Sequence, residues 1–144
     1  PKQDPDGAYA AVIPKFLNIL IQHNAPIING KGDTSRDFTF VDNVVQANQL
    51  AAMTQNPGAL NTVYNVACSD RTTLTELTLT LINELAQYDA KIGEIRPIYG
   101  EERIGDIKHS HASIQKAQML LGYKPTVMVS EGLKRTVDWF WNNR

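Results

Sequence analysis

Arg36 stands where the glycine-rich start of INGKGDTSRDFTFVDNV (residues 28–44) gives way to an alternating run, and Arg103 and Asp106 flank Gly105 in EERIGDIKHSH (residues 101–111). A guanidinium presents a planar fork of donors that suits a carboxylate or a phosphate. In an extended run Arg36 shares a face with Phe38 and Phe40. An arginine beside aromatic surface and next to a turn can hold a planar or multiply charged anion. The competing reading is a salt bridge to Asp33, Asp37 or Asp42. Gly105 lets the backbone bend, so that Arg103 and Asp106 can face one ligand. Arginine suits a phosphate, and aspartate suits a pair of sugar hydroxyls. Two arginines and one carboxylate make a nucleotide-diphosphate grip. Taken alone, Arg103 and Asp106 read equally as a solvated charged loop.

Other chemistries find less support. His109 and His111 would share one side of a strand, but a metal site needs three or four ligands and Asp106 is the only obvious third. Lys108 followed by two histidines reads as polar edge packing, and no metal is expected. Cys68 reads as a small core residue, since the sequence names no base beside it. None of Tyr9, Tyr64, Tyr88, Tyr99 and Tyr123 has a lysine four residues later. A dinucleotide would call for a strand, a glycine-rich turn and a helix N-terminus in one βαβ unit. NGKGD lies between two expected strands instead. No residue is assigned a catalytic role.

The elements that must position these groups follow from periodicity. Apolar residues at Val12, Ile13, Phe16, Leu17, Leu20 and Ile21 form a helical stripe within Tyr9–His23, with Pro14 tolerable in the first turn. PIIN (26–29) reads as a short strand, GKGD as a turn and residues 36–41 as a second strand. Asp42 is the expected N-cap of a helix from Asn43 to Thr54. TVYNVA (62–67) reads as a strand, and TLTE (73–76) has capping-box spacing for a helix through about Gln87. GEIRPIY (93–99) reads as an edge strand interrupted by Pro97. A helix around Ile114–Leu121 should stop at Gly122, and a last helix from about Ser130 presents Leu133, Val137, Phe140 and Trp141. The expectation is a mixed α/β chain with short strands and four or five helices.

Composition narrows the class. The 144 residues suffice for a real core, with 42% apolar and 20% charged residues and a formal charge of −1. There is no basic run of the kind that binds nucleic acid. No apolar run approaches the ~20 residues that span a bilayer. The single cysteine fits a reducing compartment, so a cytoplasmic protein is expected.

The stretches AYAAVIPKF, SRDFTFVDNVVQAN, VYNVACSDRTTLTEL and RIGDIKHSHASI resemble the C-terminal portion of the extended short-chain dehydrogenase/reductase family. Within it they are most similar to NAD-dependent UDP-N-acetylhexosamine 4-epimerases, which interconvert UDP-GlcNAc and UDP-GalNAc. The resemblance implies a small substrate-binding domain over residues 1–144, with the Rossmann-type NAD-binding domain and the catalytic tyrosine–lysine pair lying upstream. Arg36 and Arg103 would clamp the diphosphate, and Asp106 would accept the ribose hydroxyls. Ala11 and Val12 would line the sugar and uracil end, with Ile28 and Asn29 against the base. Ser110 would look onto the hexose, where a small residue leaves room for an N-acetyl group.

The same resemblance makes NAD the cofactor of the parent enzyme, with none expected on this chain, and surface-polysaccharide precursor synthesis the setting. The chain alone should be inactive and should self-associate through the face that normally meets the NAD-binding domain. Two alternatives stay open: the substrate domain of a nucleotide-sugar dehydratase or decarboxylase, and a non-catalytic binding or scaffold module.

Overall fold

Pro14 is accommodated in the first turn of the first helix, where a missing N–H has no intrahelical partner to lose. The computed structural model describes residues 11–144. In chain order its elements are α1 (Val12–Ile21), β1 (Ile27–Asn29), β2 (Ser35–Arg36), α2 (Val41–Met53), β3 (Thr72–Thr73), α3 (Leu74–Ala86), β4 (Ile98–Gly100), α4 (Gln115–Leu121) and α5 (Val129–Asn142). Short 3-10 turns occupy Pro57–Ala59 and Ala90–Glu94. This is the mixed α/β class expected, with five helices and short strands. No helix among the described residues is long and apolar enough to cross a membrane.

The chain divides into two compact units. The first holds the described residues through Thr34, then Thr73–Lys108 and Leu133–Arg144. Its core is built from helical stripes: Phe16, Leu17 and Leu20 of α1, and Leu77, Leu81, Ile82 and Leu85 of α3, all buried at spacings of three and four. Ile28, Ile92 and Val137 complete it. Each such side chain contributes about 1.5–3 kcal/mol on leaving water. Thr73 opens α3 with a complete capping box: its side chain accepts the Glu76 N–H, and Glu76 accepts the Thr73 N–H. Strands β1 and β4 pair in parallel, with Ile27 opposite Ile98, Ile28 opposite Tyr99 and Asn29 opposite Gly100.

The second unit holds Ser35–Thr72 and His109–Gly132. Ala47 of α2 and Ala117 of α4 are small enough for these helices to pack closely, and Ala67, Ile114 and Tyr123 fill the space around them. The fully buried Tyr123 satisfies its hydroxyl on the Ala67 carbonyl at 2.9 Å. Gly122, at φ +70°, ends α4 as expected of a glycine in the left-handed region.

Four expectations are corrected. The strand expected over 36–41 ends at Arg36, because the Asp37 carboxylate turns to accept the Cys68 N–H at 2.9 Å. Phe38 and Phe40 therefore do not share a strand face with Arg36. The next helix starts at Val41 with Phe40 as N-cap. Asp42 lies in its first turn, where a carboxylate favours the positive end of the helix. Residues 62–67 form no strand. Thr62, Tyr64 and Val66 alternate with the more exposed Asn61, Val63 and Asn65, as in a strand, but side chains take the backbone carbonyls: Lys116 Nζ bonds that of Val63, and Tyr123 that of Ala67. In GEIRPIY, residues through Glu94 belong to a 3-10 turn and only Ile98 onward is strand.

Candidate functional site

Beyond the carboxyl ends of the parallel strands β1 and β4 the chain makes two turns, and they face each other. The first follows β1. The Gly30 N–H bonds the carbonyls of Gly100 and Glu101 at 3.1 and 3.2 Å, carrying the pairing one residue past the strand. Gly32, at φ +75°, brings the backbone so close to α3 that a Cβ there would lie 2.2 Å from Thr75 Oγ1. The carbonyls of Gly32 and Thr34 then accept the first N–H groups of α3, from Thr75 at 3.2 Å and Leu74 at 2.9 Å.

The second turn, Arg103-Ile104-Gly105-Asp106, follows β4. The Asp106 N–H bonds the Arg103 carbonyl at 3.2 Å, and Gly105 takes φ +82°, a value suited to the third position of a type II turn. This geometry brings the ends of the turn, Arg103 and Asp106, together and leaves Ile104 wholly exposed. A small open pocket lies between the turns. One wall is Asn29, Gly30, Asp33 and Thr34; the other is Glu102, Arg103, Asp106 and Lys108. Glu102 and Lys108 pair at 3.6 Å, with both side chains well exposed. The pocket thus offers two cations, three carboxylates and an amide: donors for an anion beside acceptors for hydroxyls.

In the second unit, Ser35 is the organising residue. Its carbonyl accepts the Ser110 N–H at 3.1 Å and Arg36 Nη1 at 2.9 Å, and its hydroxyl is 2.9 Å from His109 Nδ1. A parallel bridge joins the backbones of Ser35 and His109.

Of the residues singled out from the sequence, Asn29, Arg103 and Asp106 come together in the pocket of the first unit. Ile28 is fully buried in that unit's core, so it offers a ligand only its backbone. Ala11 and Val12 form the N-cap and first residue of α1, half-buried and outside the pocket walls. Arg36, half-buried, and Ser110, exposed, belong to the second unit. Asp33, Thr34, Glu102 and Lys108 line the pocket without having been picked out as ligand contacts; their signal was membership of the same two turns.

His109 is bonded to Ser35, and among the described residues no group of three or more histidine, cysteine or acidic side chains could hold a metal. Cys68 is a buried core residue whose thiol is pushed up by burial and then by the Asp37 carboxylate, the opposite of nucleophile activation. The glycine turn after β1 leads to another strand and not into a helix. It therefore differs from the strand–turn–helix unit that cradles a dinucleotide's phosphates.

The family described as GDP-mannose 4,6 dehydratase matches residues 1–136. The chain belongs to this family. Among curated members similar to it, UDP-glucose 4-epimerase from Mycolicibacterium smegmatis is 31% identical over 142 residues, covering 99% of this chain and 42% of that protein. Among solved structures, UDP-N-acetylglucosamine 4-epimerase from Methanobrevibacter ruminantium M1, in complex with UDP-N-acetylmuramic acid, is 36% identical with a TM-score of 0.85. That match covers all (100%) of this chain and 43% of the other. UDP-glucuronic acid 4-epimerase from Bacillus cereus, in complex with UDP-glucuronic acid and NAD, is 25% identical with a TM-score of 0.77, over 100% of this chain and 42% of that one. The GDP-mannose 4,6 dehydratase family chain described here thus spans about two fifths of the length of these relatives.

Proposed function

We propose that the chain is the nucleotide-sugar-binding part of an NAD-dependent UDP-hexosamine 4-epimerase acting between UDP-GlcNAc and UDP-GalNAc, and that it does not turn over alone. The observation that carries this reading is the convergence of Asn29, Arg103 and Asp106 in one pocket beyond the carboxyl ends of parallel strands, where open α/β folds bind ligands. Arg103 takes the diphosphate, Asp106 the ribose hydroxyls and Asn29 the base. Arg36 supplies a second guanidinium to the diphosphate. Ser110 leaves room for an N-acetyl group, and Ala11 and Val12 lie along the sugar and uracil end. NAD, which a related structure carries with its UDP-sugar, belongs to the part of the enzyme that performs hydride transfer. With half the pocket missing, binding to this chain is weak.

Titration of the chain with UDP and with UDP-GlcNAc, followed by NMR amide shifts, tests the reading. Shifts clustered at Arg36, Arg103 and Asp106, weakened in Arg103→Ala and Asp106→Asn, are expected. Their absence in a folded chain, or sub-micromolar saturation, would count against it. The family's own dehydratase description supports one alternative, the substrate domain of a nucleotide-sugar 4,6-dehydratase, and similarity to a curated decarboxylase supports its decarboxylase variant. Product analysis with the full-length enzyme separates the two.

A further inference from the structure

We infer that Ser35 and His109 are a positioning pair that sets Arg36 and Ser110 for ligand contact, an inference that rests on the nucleotide-sugar reading above. Ser35 is 4% exposed, and both its carbonyl and its hydroxyl are engaged. Its carbonyl receives both the Arg36 guanidinium, at 2.9 Å, and the Ser110 N–H, at 3.1 Å. One oxygen therefore orients a proposed diphosphate contact and a proposed hexose contact together. A guanidinium anchored through one nitrogen loses much of the rotamer freedom that would otherwise be lost on binding. The Ser110 backbone is likewise held to a buried strand residue, although position 110 is itself exposed.

What keeps that carbonyl in place is the other end of the same residue. The Ser35 hydroxyl lies 2.9 Å from His109 Nδ1, and a parallel bridge ties the two backbones. The residues are separated by 74 positions, so no local turn brings them together. Without the imidazole, the buried hydroxyl loses its partner and the 109–110 segment keeps only backbone bonds to Ser35. His109 touches neither phosphate nor sugar on this view; it acts through Ser35.

The experiment uses His109→Leu and His109→Asn in this chain, because His109 is exposed and its replacement leaves the core intact. UDP-GlcNAc affinity, the Ser110 amide resonance, the Arg36 Nε–H resonance and the thermal midpoint are measured together. His109→Leu is expected to weaken binding about three- to tenfold, the effect of one lost hydrogen bond. It should move both resonances and lower the midpoint by only a few degrees, as for one buried hydroxyl left without a partner. His109→Asn, whose amide reaches the position of Nδ1, should restore them. A folded His109→Leu chain with wild-type affinity and unmoved resonances overturns the inference. So does a loss of affinity that only tracks a fallen midpoint and is not rescued by asparagine. Two separate arms tell the failures apart: if Arg36→Ala leaves affinity unchanged, Arg36 is no ligand contact and the positioning role falls, whereas Arg103→Ala and Asp106→Asn leaving affinity unchanged would count against the nucleotide-sugar reading itself.

Discussion

Asn43 and Val127, 84 positions apart, are bonded in both directions: Asn43 Nδ2 donates to the Val127 carbonyl at 2.7 Å, and Asn43 Oδ1 accepts the Val127 N–H at 3.1 Å. The same Oδ1 accepts the Thr126 N–H at 2.9 Å. Asn43 is wholly buried in the first turn of α2, so one side-chain amide replaces the strand partner that residues 126–127 lack.

Replacing Asn43 with leucine should therefore cost far more than a surface change. It would remove the partner of the buried Val127 N–H and of the part-buried Thr126 N–H, and leave the Val127 carbonyl only the Cys68 thiol at 3.8 Å, at roughly 1–3 kcal/mol for each buried group that finds no other partner. A drop of about 3 kcal/mol in urea unfolding is expected, with the m-value unchanged. A loss under about 0.5 kcal/mol would show that these groups find water instead.

The capping box on α3 gives an acid-dependent contribution. Hydrogen bonds from the Thr73 N–H and hydroxyl hold the Glu76 carboxyl below the ordinary glutamate range. A carboxylate with a lowered folded pKa stabilises above its unfolded pKa and loses that contribution as pH falls through the folded value. Thr73→Ala should cost about 1 kcal/mol at neutral pH and flatten the acid limb of the stability curve below the ordinary glutamate range. Thermal unfolding from neutral to acid pH measures both effects.

Tyr123 predicts the opposite limb. Burial, and then the neighbouring Cys68 and Asp37, push its phenol up to about 12. A group raised in the folded state stabilises fully below its unfolded pKa, and the contribution is lost as pH rises toward the folded value. Stability should decline between the ordinary tyrosine range and about 12. Ultraviolet titration should show this phenol ionising late, only as the chain unfolds. Tyr123→Phe should remove that ionisation step while costing about 1 kcal/mol at neutral pH through the lost bond to Ala67.

How much of this was legible in the sequence depended on range. Thr73 and Glu76, Pro14, Gly122 and the stripes of α1 and α3 are determined within one or two helical turns, and the structure holds each where local rules put it. Residues 62–67 carry strand composition and even strand-like alternation. Whether they form a ladder depends on a partner strand, and Lys116 and Tyr123 side chains take two of those carbonyls instead. Asp42 looked like a cap because its type is right; Asp37's bond to Cys68 ends the extended run early, and the chain enters helix two residues sooner. The site divides in the same way. Arg103 and Asp106 are legible because one glycine turn joins them. Asn29 joins their pocket only through the parallel register of β1 with β4, and Ser35 meets His109 across 74 positions.

Gly105 offers the sharpest test of the pocket, because its role separates from packing. It sits at φ +82°, and a Cβ there would meet nothing within 4 Å. Gly105→Ala therefore introduces no clash, only the strain of a left-handed backbone, on the order of 1 kcal/mol. The turn can relieve that strain by opening, which separates Arg103 from Asp106. Global stability should fall by no more than about 1 kcal/mol, because the loop is exposed and carries little core. UDP binding should weaken about tenfold, since both contacts lose their shared geometry. Gly122→Ala is the control: it has a similar φ of +70°, equally open space and no place in the pocket. It should cost comparable stability and leave UDP affinity unchanged. Equal loss of affinity in both variants would mean that the turn does not position the ligand contacts.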